Sequence, residues 1–165
     1  MTDAPPIWKP PTARERFEIL RATRTVAIVG ASPNPARPSA FVAAYILSDA
    51  TRFEHVWLVN PTVDEILGRP AYPDLASLPA PPDLVDVFRK PADLLSVADD
   101  AIAVGARTLW LQLGLWDDAV AARGTAAGLN VVMDRCLKIE HARFAGGLHT
   151  AGFDTGVISS RRRLR

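Results

Sequence analysis

Five short, largely apolar runs punctuate the chain, and they show little alternation of apolar with polar residues. Strands covered on both faces have this pattern, whereas half-exposed strands alternate. The runs therefore predict five buried strands, at residues 25–30, 55–61, 84–88, 108–114 and 129–133.

The segments between these runs have helical spacing. Thr12 and Glu15 stand three residues apart before an apolar face, which is the pattern of a capping box. The proline-rich segment 64–83 predicts no long helix and only one helical turn, at 74–78. The predicted helices lie at 12–23, 40–49, 91–106 and 117–128, with a last short one in 135–144.

Strands that alternate with helices predict an α/β fold with a mainly parallel, five-stranded sheet and helices on both faces. The sheet is expected to be open and doubly wound, with ligands at the carboxyl ends of its strands. At 165 residues, one folded domain is expected. We assign residues 1–24 to a lead and first helix, 25–144 to the domain and 145–165 to a tail.

Charge argues against a nucleic-acid partner. The net charge is +1, but residues 161–165 hold four of the 19 basic side chains. The remainder is mildly acidic, so no basic face is expected. The arginine-rich end is expected to be a solvated terminus.

The sequence also indicates the redox compartment and argues against membrane association. Cys136 is the single cysteine, so no intrachain disulfide forms and a reducing compartment is expected. The first residues contain prolines and lack the apolar core of a signal peptide. No apolar stretch approaches the length of about 20 residues that spans a bilayer. A cytoplasmic protein without membrane association is expected.

Polar and cationic residues follow the first predicted strand. Gly30 allows a tight turn, and a helix beginning near Ser39 would offer unpaired N–H groups to an anion. Ser32 and Asn34 add hydrogen-bonding groups, and Arg37 adds a guanidinium suited to phosphate. Serine and asparagine are also common turn and cap residues, so this loop alone leaves both interpretations open.

The ends of the third and fourth strands add an aromatic ring, cations and an amide. Phe88 could stack on a base while Arg89 or Lys90 contacts a phosphate. A core phenylalanine followed by two solvated cations would have the same pattern. Gln112 is expected to face the crevice or a loop backbone, because a buried amide needs hydrogen-bond partners.

The end of the second strand argues against NAD. NAD-binding folds usually place an acidic residue there to hold the ribose, and their first loop contains two further glycines. Here the strand ends in Asn60 and Pro61. An NADP-dependent oxidoreductase stays an alternative, since Arg37 or Arg89 could serve a 2′-phosphate.

Cys136 supports a second alternative, thiol-dependent acyl or redox chemistry, because it follows the fifth strand and could lie at the same edge. A lone cysteine is more often a small buried residue. Cys136, Glu140, His141 and His149 have no recognised metal-ligand spacing, so no metal site is expected.

Six motifs together resemble a known family. They are VAIVGASPNPARPS, VWLVNP, EILGRPAYPDLASLP, VDVFRKP, LWLQLG and VVMDRCLKIEH, and they cover residues 25 to about 144. In order and spacing they resemble the stand-alone CoA-binding domain proteins of bacteria and archaea. That family is similar to the N-terminal CoA-binding domain of the succinyl-CoA synthetase alpha subunit.

The resemblance implies a Rossmann-like domain that holds coenzyme A or an acyl-CoA across the carboxyl edge of its sheet. It implies three groups of contacts: phosphates on Gly30, Ala31, Ser32, Asn34, Pro35 and Arg37; the adenosine side on Asn60, Pro61, Phe88, Arg89 and Lys90; and the pantetheine arm along Gln112 and Gly114.

The same resemblance limits the expected activity. The synthetase uses a phosphorylated histidine from a second domain together with a partner subunit, and we expect no such domain here. His55, His141 and His149 stand in no catalytic pattern. The expected function is therefore CoA binding without catalysis of its own, as a carrier, regulatory or partner-dependent module. A homo-oligomer or a protein partner is left open.

Overall fold

The computed structural model describes residue 4 and residues 6–145. His149, the arginine-rich end and all of the predicted tail beyond Ala145 lie outside the described residues.

The architecture is a mostly parallel α/β sheet in the order β3-β4-β2-β1-β5-β6-β7. All neighbouring pairs are parallel except β3 with β4. The strands are β1 (Thr25–Val29), β2 (His55–Val59), β3 (Glu65–Ile66), β4 (Arg69–Tyr72), β5 (Leu84–Val87), β6 (Thr108–Leu111) and β7 (Asn130–Val132).

The strand count corrects the prediction of five strands. The proline-rich segment forms a hairpin, β3 and β4, and β4 adds to the parallel sheet beside β2. Leu67 and Gly68 make the turn with positive φ angles of 52° and 71°. This hairpin has no apolar run because its strands are short and largely exposed, with only Ile66 fully buried.

In the described part of the chain, five helices cover the sheet, and the capping box predicted at the first of them is confirmed. Thr12 Oγ1 accepts from Glu15 N at 3.2 Å, and the Glu15 carboxylate accepts from Thr12 N at 2.7 Å. The helices are α1 (Ala13–Ala22), α2 (Pro38–Ile46), α3 (Leu94–Ala103), α4 (Asp118–Ala126) and α5 (Leu137–Ala145), with 3₁₀ turns at Leu75–Ser77 and Pro91–Asp93. None of the helices among the described residues is long and apolar enough to cross a membrane.

Side chains of the sheet alternate between two apolar layers. In β1, Val26 and Ile28 belong to the layer that contains residues of α1, α2 and α5. Ala27 and Val29 belong to the layer with α3 and α4. Both faces are therefore covered, which explains why the strand reads as a continuous apolar run.

The N-terminal residues pack on this sheet. The Trp8 indole donates to the carbonyl of Val131 at 2.9 Å and meets the Trp116 ring edge to face at 5.3 Å. Arg16 on α1 forms a buried ion pair of 2.8 Å with Glu140 on α5. The lead and α1 are thereby fixed to the end of the sheet next to α5.

Candidate ligand-binding site at the carboxyl edge of the sheet

A cavity of about 660 Å³ opens at the carboxyl ends of the parallel strands. The chain leaves β1 toward β2 on one side and later returns to β5 on the other side, so this edge contains the switch in strand order where such folds bind ligands. The cavity is lined by Gly30, Ala31, Ser32, Arg37, Pro38, Ser39, Val42, Asn60, Phe88, Arg89, Lys90, Gln112, Leu113, Leu115 and Cys136.

Gly30 brings two walls of the cavity into contact. Its φ is +84°, and a Cβ atom there would stand 2.1 Å from the carbonyl oxygen of Phe88. Phe88 N in turn donates to Val29 O at 2.8 Å, so the two segments run side by side beyond the strands. Only glycine permits both this φ and this approach.

The polar side chains of the first loop build the loop itself. Ser32 Oγ accepts from Asn34 N at 3.1 Å, and Asn34 Oδ1 accepts from Ala36 N at 3.0 Å. Asn34 and Pro35 are exposed and do not line the cavity. Ser32 does line it, and because its oxygen accepts in the turn, its own proton is free to be donated.

Asn60 also has a structural role. Its amide nitrogen donates to Ala31 O at 2.8 Å, and its amide oxygen accepts from the N–H and the hydroxyl of Thr62, both at 2.8 Å. Asn60 therefore ties the end of β2 to the loop after β1, while part of its surface faces the cavity.

The N-terminus of α2 faces the cavity without a side-chain cap. Arg37 is the cap residue and makes no side-chain capping bond, and Pro38 occupies the first turn. Ser39, which is 3% exposed, lines the cavity within that turn. The uncapped N–H groups and the positive end of the helix dipole both favour an anion here.

The charges of the cavity wall are all positive. Arg37, Arg89 and Lys90 line it and are exposed, and no carboxylate is among the lining residues of the described chain. Asp93 pairs with Arg89 at 2.8 Å from outside the wall. A wall of this kind attracts an anionic ligand.

Gln112 leads to a residue that the sequence analysis missed. Its side chain is 5% exposed, and its amide nitrogen donates to the carboxyl of Asp86, which is fully buried. Burial raises the pKa of Asp86 to about 8, against the opposing effect of the hydrogen bonds from Gln112 and from the Val87 backbone. The available signal was one carboxylate inside the apolar run LVDV.

Two other predicted contacts lie elsewhere. Gly114, with a φ of +81°, donates its N–H to Asp134 Oδ1 at 2.7 Å and does not line the cavity. Pro61 lines a separate cleft of about 220 Å³, whose wall includes Asp74. That cleft shares Gly30 and Arg89 with the main cavity.

Phe88 and Cys136 each lie between the core and the cavity. Both are half-buried and pack against the apolar layer of α1, α2 and α5, and both line the cavity.

The structure thus brings most of the predicted residues together and leaves a few outside. Those that line the cavity are Gly30, Ala31, Ser32, Arg37, Asn60, Phe88, Arg89, Lys90 and Gln112. Those outside it are Asn34, Pro35, Pro61 and Gly114. Six lining residues were not among the predicted contacts, namely Pro38, Ser39, Val42, Leu113, Leu115 and Cys136. The sequence signal for Pro38, Ser39 and Val42 was their place in the first turns of α2.

Solved structures with this architecture differ widely in their sequence identity to this chain. A hypothetical protein from Pyrococcus horikoshii OT3 is 33% identical, with a TM-score of 0.76 over 87% of this chain and 98% of that one. The dinucleotide-forming acetyl-coenzyme A synthetase 1 of Ca. Korarchaeum cryptofilum, in complex with phosphate and ADP, is 22% identical. Its TM-score is 0.61 over 66% of this chain and 25% of that one, which shows a shared fold.

Sequence comparisons agree with the structural ones. The uncharacterized protein YneT of Bacillus subtilis (strain 168) is 36% identical over 132 residues, which are 80% of this chain and 96% of that protein. The family model of the CoA binding domain matches residues 24–142. The chain therefore belongs to the CoA-binding domain family.

Proposed function

We propose that the cavity at the carboxyl edge binds coenzyme A or an acyl-CoA, and that the protein does so without catalysis of its own. It would act as a carrier, a regulatory protein or a partner-dependent module. The observation that carries this proposal is the cavity wall, which combines three cations and an uncapped helix N-terminus with no lining carboxylate among the described residues.

The phosphates of CoA account for the positive wall. CoA carries a diphosphate and a separate ribose phosphate, so it presents several anionic groups at a distance from one another. The first turn of α2 and Arg37 suit the diphosphate, because N–H groups and a guanidinium donate in a fixed geometry. Arg89 and Lys90, on another wall, suit the ribose phosphate.

The remainder of the cavity suits the uncharged parts of the ligand. Val42, Phe88, Leu113 and Leu115 supply apolar surface, and Gln112 supplies a polar group beside them. A largely apolar cavity with few polar groups is typical of cofactor sites, and 660 Å³ lies in their usual range.

NADP is the competing nucleotide. The end of β2 offers it no carboxylate, and both amide atoms of Asn60 are engaged by backbone and Thr62. The cations could still serve a 2′-phosphate, so NADP belongs in the same binding test as a competitor.

Thiol chemistry is a second candidate, favoured by the place of Cys136 in the cavity wall. In acyl transfer, the Cys136 thiolate would attack the thioester carbonyl and CoA would leave as its thiolate. Incubation with acetyl-CoA followed by intact mass spectrometry tests this step. An acetyl adduct on the wild type that is absent from Cys136→Ser would support acyl transfer and contradict a purely binding role.

Thermal unfolding with matched ligands tests the main proposal. A ligand that binds only the folded state raises Tm, and at 100 times its Kd it stabilises by about 2.7 kcal/mol. We expect Tm to rise with CoA or acetyl-CoA and to rise less with NADP at equal concentration. If neither CoA nor acetyl-CoA changes Tm, or if NADP raises Tm more than they do, the proposal is wrong.

A further inference from the structure

Asp86 stands where an apolar side chain would be expected. It lies in the middle of β5, in register with Ile28 on β1 and Trp110 on β6, and it is 0% exposed. A buried carboxyl is costly, and one that serves only packing would be replaced by an apolar residue without loss. Among the described residues, its Oδ2 has no hydrogen-bond partner. Its Oδ1 accepts from Gln112.

The bond to Asp86 decides which end of the Gln112 amide meets the cavity. Nε2 donates inward to Asp86 Oδ1. The proton that the raised pKa keeps on this carboxyl is then carried by Oδ2, the oxygen without a partner among the described residues. Gln112 lines the cavity, and its Oε1 is not among the buried, unpartnered atoms of the described chain. The carbonyl end of the amide is therefore the end presented to a ligand.

We propose that Asp86 is a positioning residue, which holds Gln112 so that its carbonyl oxygen selects a hydrogen-bond donor on the ligand. This inference rests on the proposed function. In CoA the donors beyond the nucleotide are the two amide N–H groups of the pantetheine arm. The Asp86–Gln112 pair thus favours ligands that carry this arm over the nucleotide portion alone.

Two probes separate this role from a general structural one. CoA carries the pantetheine arm, and adenosine 3′,5′-bisphosphate lacks it while keeping the nucleotide and two phosphate groups. Calorimetric titration of the full chain measures both affinities. In Asp86→Val, Gln112 loses its anchor, so we expect CoA affinity to fall about three- to tenfold, as for one lost hydrogen bond, and bisphosphate affinity to be unchanged.

Matched variants test whether Asp86 affects CoA affinity through Gln112. Asp86→Asn keeps an acceptor oxygen for Gln112, so its CoA affinity should equal that of the wild type. Gln112→Ala should reproduce the loss seen in Asp86→Val, and the double variant should lose no more than Gln112→Ala. Should valine prevent folding, Asp86→Ala removes the same acceptor with less volume and is measured with the same two probes.

Three results would overturn the role of Asp86. They are unchanged CoA affinity in the valine or alanine variant, an equal loss of both probes, and a double variant that loses more than Gln112→Ala. Failure of the proposed function has a different signature, namely that the wild type binds neither CoA nor the bisphosphate.

Discussion

Gly30 and Phe88 are in backbone contact at the mouth of the cavity, where a Cβ atom on Gly30 would stand 2.1 Å from the Phe88 carbonyl oxygen. This contact joins the loop after β1 to the loop after β5. Arg37 follows on the first loop, and Arg89 and Lys90 follow on the second. The position of the three cations around one cavity therefore depends on this single glycine.

Gly30→Ala is expected to lower the free energy of unfolding by about 3 kcal/mol or more, because the methyl group meets a backbone carbonyl that cannot move away alone. Chemical denaturation measures the change. Gly128→Ala is the matched control, since Gly128 has the same φ of +84° but no atom of the described residues within 4 Å of its added Cβ. It should cost only about 1 kcal/mol from backbone strain. Equal costs at the two positions would contradict the role of the contact.

Asp86 predicts an unusual pH dependence of stability. Its pKa is about 8 in the folded protein and near 3.8 in the unfolded chain. Between these values the folded state retains a proton that the unfolded state releases. The free energy of unfolding should therefore fall as pH rises, by about 1.4 kcal/mol per pH unit from this group, and level off above the folded pKa.

The comparison with Asp86→Asn isolates this effect, because asparagine does not titrate. Urea denaturation at pH 5.5 and pH 7.5 should show the stability of the wild type declining relative to that of the variant. A stability difference between the two proteins that is independent of pH would show that the Asp86 pKa is not raised.

Arg37→Ala should weaken CoA binding by about tenfold at low salt, through loss of a charge-assisted phosphate contact. The effect should shrink as salt is added, because Arg37 is exposed and its charge is screened. Arg107→Ala is a suitable control, since Arg107 is 77% exposed and precedes β6 at the opposite edge of the sheet. If both variants weaken binding equally, the contribution of Arg37 comes from net charge alone.

The ion pair of Arg16 with Glu140 supports the structure away from the cavity. Both side chains are buried, at 3% and 1% exposure. Glu140→Gln should lower the free energy of unfolding by about 3 kcal/mol, because it leaves a buried guanidinium without its counter-charge. The double variant Arg16→Met/Glu140→Leu should regain much of this loss. A double variant less stable than Glu140→Gln would contradict this explanation.

The sequence predicts what short-range patterns determine. Continuous apolar runs located β1, β2, β5, β6 and β7, since both faces of the sheet are covered, and Thr12 with Glu15 located the first helix. The hairpin of β3 and β4 escaped prediction because its strands are short and largely exposed, and because β4 contains Pro70. An edge hairpin is fixed by its turn and by the neighbouring strand rather than by a buried pattern.

The candidate site, like the fold, was predicted only in part from the sequence. Residues immediately after strands, such as Gly30 and Gln112, were expected at the carboxyl edge and line its cavity. Asn34 and Gly114 were expected there as well, but local hydrogen bonds use them to shape turns, a choice that residue type alone does not reveal. Asp86 was missed because its hydrogen-bond partner, Gln112, lies 26 residues away in the sequence.

An amide NMR titration of the full chain with CoA tests whether the cavity at the carboxyl edge is the CoA site, because it reports both binding and its location. We expect saturable shifts at the amides of Gly30, Ser39, Arg89 and Gln112, with that of Arg107 unaffected. Shifts confined to the amino edge of the sheet, or no shifts at millimolar CoA, would contradict it.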